Sequence, residues 1–151
     1  MREQAEIEQI DLRRYHGEPE VKAEEVGKRR EYFLGHGFSP EWIDSLAEVR
    51  PTLFAPQVLE EHTTGLLQRG FTDPNKMITS LPAILGYTFD NIDAKLSGLR
   101  ERGFSDPNKM IASSPAILGY TFDNIDAKLA GLRERGFSDP NKMIASSPAI
   151  L

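Results

Sequence analysis

Gly-Phe pairs fall at Gly37-Phe38, Gly70-Phe71, Gly103-Phe104 and Gly136-Phe137, a spacing of 33 residues each time. A fixed period of this length marks stacked supersecondary repeats, each too small to bury its apolar face alone and so dependent on its neighbours. Repeats 70–102 and 103–135 differ only at Thr72/Ser105, Thr79/Ala112, Leu81/Ser114 and Ser97/Ala130. The repeat that begins at Gly37 is divergent, yet it keeps Pro51 and Leu53 where the later repeat has Pro115 and Ile117. Upstream, Glu25 to His36 matches the second half of a repeat, and Gln4 to Tyr15 reads as a polar amphipathic capping helix. The expected organisation is a head, 1–36, made of capping helix and half-repeat, followed by an array, 37–151, divided as 37–69, 70–102, 103–135 and a partial 136–151.

Each repeat reads as two helices. In 103–135, Ser105 or Asp106 is placed to cap the first helix, and Pro107 sits in the first turn, where a missing N–H costs nothing. Pro115 removes a donor and clashes with the preceding turn, so the first helix stops near Ser114 and a short 3₁₀ turn carries Ala116 to Gly119. Thr121 caps the second helix, with Tyr120 and Ile125 as the flanking apolar pair. Phe122, Ile125, Leu129 and Leu132 form its expected buried stripe. Gly136 then takes the left-handed position that ends the helix, and Phe137 folds back on Leu132. Ala94 with Gly98, and Ala127 with Gly131, put small residues four apart, where an adjacent helix packs closely. The expected fold is an all-α solenoid, right- or left-handed, of 33-residue helix-turn-helix repeats.

Charge and composition narrow the function classes. The chain carries a net −5 and no cysteine, which excludes disulfides, thiolate nucleophiles and cysteine-ligated zinc. Repeats 70–102 and 103–135 are each neutral, so the negative charge comes from residues 1–69, with −2 in the head and −3 in the first repeat. No apolar run approaches the roughly 20 residues of a membrane span. Glu3, Glu6 and Glu8 stand where a signal peptide would be apolar, so a cytoplasmic protein that meets no membrane is expected. His16, His36 and His62 do not share a repeat, and no metal-binding or phosphate-cradling motif occurs; no catalysis, cofactor or metal is expected.

One constellation invites a ligand. Lys95 and Arg102 lie seven apart on one flank of the second helix, and translation by 33 puts Arg29, His62, Arg69, Lys128 and Arg135 on the same line, with His36 at the remaining place. A stack turns these into a basic rail able to contact phosphates; alternatively, Arg69, Arg102 and Arg135 complement helix C-terminal dipoles and solvate the surface. Read as exposed, they should be removable without loss of helix. On the opposite flank Asp93 is expected to pair with Arg100, and Asp126 with Arg133. Tyr87 and Tyr120 are better placed for packing than for stacking on bases.

The ordered set Gly-Phe-Ser-Asp-Pro-Asn-Lys-Met-Ile-Ala-Ser-Ser-Pro-Ala-Ile-Leu-Gly-Tyr, followed by a helix ending Leu-x-x-Leu-x-x-x-Gly-Phe, resembles the repeat of the mitochondrial transcription termination factor (mTERF) family. The proline-led apolar pair of that pattern corresponds to Pro51–Phe54, Pro82–Leu85, Pro115–Leu118 and Pro148–Leu151. The resemblance covers Gly37 to Leu151, and Glu25 to His36 more weakly, and implies a superhelix whose concave face binds duplex DNA or RNA through basic side chains. Ankyrin repeats share the period but not this helix-ending proline. Relatives of the plant-pathogen transcription activator-like effectors share the Gly-Phe-Ser start but not the Pro-Ala-Ile-Leu segment. The expected function is non-catalytic binding of nucleic acid along the rail, of low sequence selectivity because adjacent repeats vary so little; the alternative is a protein-interaction scaffold, which the acidic charge favours. Met143, Ile144, Ile150 and Leu151 are expected to leave an apolar patch that must fray, pair with another molecule, a second copy included, or belong to a longer parent protein.

Overall fold

The computed structural model describes residues 23–151, which are all-helical with no strand among the described residues. The capping helix expected at Gln4 to Tyr15 lies outside the described residues. Two compact bodies share the chain: one extends to Leu67 and includes Pro74–Gly86, and the other is made of Gln68–Asp73 with Tyr87–Leu151.

The first body contains α1 (Ala23–Gly35), α2 (Pro40–Val49), α3 (Pro56–Gln68) and α4 (Pro74–Ser80), with 3₁₀ turns at Pro51–Leu53 and Pro82–Gly86. Its centre is aromatic. Phe33, fully buried, meets the rings of Phe38, Trp42 and Phe54 at 5.9, 6.1 and 5.4 Å, and Trp42 stacks on Phe38 at 4.3 Å. The indole N–H of half-buried Trp42 donates to the Thr79 carbonyl at 3.1 Å.

The second body contains α5 (Phe89–Glu101), α6 (Pro107–Ser113), α7 (Phe122–Glu134) and α8 (Pro140–Ser146), with 3₁₀ turns at Pro115–Gly119 and Pro148–Ile150. The punctuation read from the sequence acts here bond by bond. Of the two candidate caps it is Asp106 that accepts from the Lys109 amide, at 3.1 Å, and Thr121 accepts from the Asn124 amide at 3.1 Å. The Ser114 amide closes α6 on the Met110 carbonyl at 2.9 Å, after which Pro115 starts the 3₁₀ turn. At the end of α7, Gly136 has φ +90° and donates to Arg133, while Phe137 donates to Leu132 at 3.1 Å. Paired bonds of this kind satisfy the last carbonyls of a helix and require a left-handed residue that glycine adopts without strain.

Two features of the packing go beyond the expected stripe. Ile125 and Leu129 are buried, but Phe122 is only half-buried and turns toward α5. A methyl group on Gly98 would overlap the Phe122 ring, so the glycine in α5 exists to admit that aromatic. The second feature is a recurrent amide. Asn108 donates its side-chain N–H to the Arg69 carbonyl at 2.7 Å, and Asn141 does the same to Arg102 at 2.6 Å. Within the first body Asn75 repeats the bond to His36 at 2.6 Å. Each therefore closes the C-terminal end of a helix 39 residues earlier in the chain.

Gly98 and Gly131 occupy the same repeat position in different surroundings, since a methyl at Gly131 meets only the mobile end of Arg135, at 3.0 Å. Gly131→Ala should thus stabilise the chain by about 0.5–1 kcal/mol through helix propensity. Gly98→Ala should destabilise it by about 1–3 kcal/mol, because overpacking against Phe122 outweighs the same gain. Urea midpoints that move in opposite directions are the expected result, and a shared direction contradicts this account of the packing.

Candidate functional site

Six of the seven residues of the expected rail, all but Lys128, are drawn into three kinds of contact. Arg69 holds Asp93 through two bonds, at 2.7 and 3.1 Å, and Arg102 holds Asp126 the same way, at 2.6 and 3.1 Å. This fork-to-carboxylate geometry is the strong form of a charged hydrogen bond. Each guanidinium also lies flat on the aromatic residue that opens the partner helix, Arg69 on Phe89 at 4.3 Å and Arg102 on Phe122 at 4.1 Å. Asp93 and Asp126 therefore do not pair with Arg100 and Arg133 on their own helices. The sequence spacing of seven puts those residues on one flank, but the cation 24 residues earlier reaches the carboxylate with both nitrogens.

Lys95 and Arg29 make the second kind of contact. Lys95 is only 7% exposed and donates to the Tyr120 carbonyl, with its ammonium 4.3 Å from the centre of the Phe122 ring. Arg29 donates to the Phe54 carbonyl at 3.0 Å, across the same interval of 25 residues. The expectation that these cations could be removed as solvent-facing groups fails for Lys95, because its head group closes the start of the next second helix. The third kind is internal to one helix. His62 lies 3.0 Å from the Val58 carbonyl and His36 2.8 Å from that of Tyr32, while Arg135 donates to Gly131 at 3.0 Å. Arg102 also bonds Gly98 at 2.9 Å, so completion of helix C-terminal carbonyls accounts for part of what these arginines do.

Lys128 and Arg135 differ from their counterparts. Both are exposed and line an open groove of about 600 Å³, with Gly131, Leu132 and Leu151. The expected apolar patch nearby is smaller than the sequence implies. Ile144 is fully buried, Met143, Ile150 and Leu151 are half-buried, and the exposed apolar side chain is Phe137, at 44% against 3% for Phe104. Among the described residues no group of three or more His, Asp or Glu side chains is placed to hold a metal ion, and no helix is long and apolar enough to cross a membrane.

Electrostatics follow from the contacts. Hydrogen bonding to Arg69 holds the Asp93 carboxyl below its ordinary range, against a smaller opposing effect of burial, and Arg102 does the same to Asp126. The guanidinium of Arg102 is pushed upward in return, chiefly by its bond to Asp126. Lys95 moves down, first because burial disfavours its charge and then because Arg102 is near.

The asparagine links and the arginine-to-aspartate reach had no signature at helical spacing. Their only trace in the sequence is that Asn75, Asn108 and Asn141 recur at the repeat period, as nearly every residue of that helix does. No family model matches the chain, and no curated protein or solved structure matches it significantly.

A carboxyl whose folded pKa lies below its unfolded value contributes stability above the unfolded value and loses it as pH falls through the folded one. Asp93 and Asp126 should therefore withdraw their contribution from about pH 4 downward. Urea midpoints should fall across that range, and Asp93→Asn with Asp126→Asn should lower the midpoint at pH 7 and flatten the fall. An acid limb of unchanged slope in the double variant excludes these two pairs as its source.

Proposed function

We propose that the chain is a non-catalytic helical-repeat scaffold, its helix pairs stacked as a solenoid, and that its partner is a protein. The observation that carries this reading is the engagement of the cations: Arg69 and Arg102 are closed on Asp93 and Asp126, and Arg29 and Lys95 on backbone carbonyls. A polyanion would have to compete with carboxylates already held by two bonds each. The net charge of −5, concentrated in residues 1–69, adds repulsion. Exposed Glu41 and Glu60 in the first repeat suit a partner with a cationic surface.

Nucleic acid is the second reading, supported by the resemblance of the repeat to the mTERF pattern and by exposed Lys128 and Arg135, whose charge is not held by an acid. In that reading the affinity falls with salt at a slope of roughly 0.9 per phosphate neutralised on B-DNA.

Capture of the partner from cell extract should survive nuclease treatment and weaken in the variant carrying Glu41→Gln and Glu60→Gln. Fluorescence anisotropy with labelled duplex DNA and duplex RNA should show no more than weak binding at about 50 mM salt. Tight binding with a steep salt slope, reduced by Lys128→Gln and Arg135→Gln, would overturn the protein reading in favour of nucleic acid.

A further inference from the structure

The groove beside α7 has a filled counterpart on α5. On α5 the face formed by Lys95, Gly98 and Arg102 is covered by the start of α7: the Tyr120 carbonyl accepts from Lys95, the Phe122 ring occupies the space left by Gly98 and lies under Arg102, and Asp126 closes on the guanidinium. These three contacts use one residue type each and fix one spacing, an aromatic at the first helical position and an aspartate four residues later. The α7 helix presents the identical set, Lys128, Gly131 and Arg135, and here the face is open. Lys128 is exposed where Lys95 is 7% exposed, and the methyl that Phe122 forbids at Gly98 would meet only Arg135 at Gly131.

We propose that this groove is a docking site for a helix of the repeat's own second-helix type, whose first turns read Tyr-Thr-Phe-Asp-x-Ile-Asp. The charge complementarity is specific. Arg135, held only by its own helix at Gly131, receives the second aspartate, and the phenylalanine enters over Gly131, the one backbone position on that face without a side chain. The Lys128 ammonium takes the carbonyl that precedes the threonine cap.

A second copy of the chain is a poor source of that helix. Asp93 and Asp126, which stand at the required position, are already closed on Arg69 and Arg102, and Phe89 and Phe122 lie under the same two guanidiniums. In α3 the corresponding positions are Pro56 and Glu60, and in α1 they are Ala23 and Gly27, neither an aromatic-aspartate pair. The occupant is a segment whose Phe-Asp face is not already engaged. This site is independent of what the scaffold binds elsewhere.

The test attaches such a segment. A copy of residues 119–135 is fused after Leu151 of the full chain, and thermal unfolding is compared with that of the original. The docked helix should raise Tm by about 4 °C or more, a size that several new buried contacts give in a chain of this length. Arg135→Gln in the extended protein should remove most of the rise. So should replacing, in the appended copy only, the phenylalanine by alanine and the second aspartate by asparagine, which leaves the original chain untouched. An unchanged Tm on extension overturns the proposal, as does a rise that survives all of these substitutions, since the added helix then stabilises without using this face. Sedimentation of the unextended chain should show a monomer; a dimer abolished by Arg135→Gln would assign the groove to a second copy and overturn the proposal as well.

Discussion

The last carbonyls of a helix have no partners inside it, and the way each second helix satisfies them organises the rest of this molecule. A glycine at φ near +90° reverses the chain after α5, and the amides of Gly103 and Phe104 take the carbonyls of Arg100 and Leu99. The carbonyl of Arg102, at the helix end itself, accepts from Asn141 of α8. One helix end thus becomes the attachment point of an element 39 residues away, and the arginine at that end is placed with its side chain toward the following helix. Burial of Leu99, Phe104 and Ile111 consolidates a geometry that these hydrogen bonds have already oriented.

Positive charge is consequently an internal resource here. Arg102 serves at once as donor to Gly98, as the lid over Phe122 and as the partner of Asp126, while the Lys95 ammonium lies 4.3 Å from the centre of the same ring. The arrangement leaves a guanidinium on an aromatic face with both outer nitrogens committed, at 23% side-chain exposure. A row of cations at helical spacing resembles an anion-binding surface in any sequence plot. What distinguishes the two is whether an acid of the neighbouring element reaches the row first, and in this molecule Asp93 and Asp126 do.

Local structure was legible in the sequence because local causes decide it. The proline at 115, the threonine at 121 and the glycine at 136 each act within four residues, and the helix limits follow them. Long-range choices were not legible. Helical spacing put Asp93 beside Arg100, but the competing partner, Arg69, approaches from outside the helix with better geometry. Phe122 fitted the apolar stripe by period, yet its place at the first helical position carries it past the stripe to Gly98, where a missing side chain makes room. Of the two glycines expected to admit a neighbouring helix, Gly98 is closely packed, by an aromatic side chain and not a helix backbone, and Gly131 meets only the end of Arg135. Ile144 belonged to the expected apolar patch but is fully buried.

If the basic residues serve the fold, Arg102 and Asp126 must act on each other. A double-mutant cycle with Arg102→Gln and Asp126→Asn, read by urea unfolding at neutral pH and low salt, measures that directly. If the two form one clasp, each single substitution lowers stability and the second costs little once the first is made. Additive losses, or an Arg102→Gln variant as stable as the parent, would mean that the guanidinium is not committed to the protein, and the case for an internal role of the basic residues would fail.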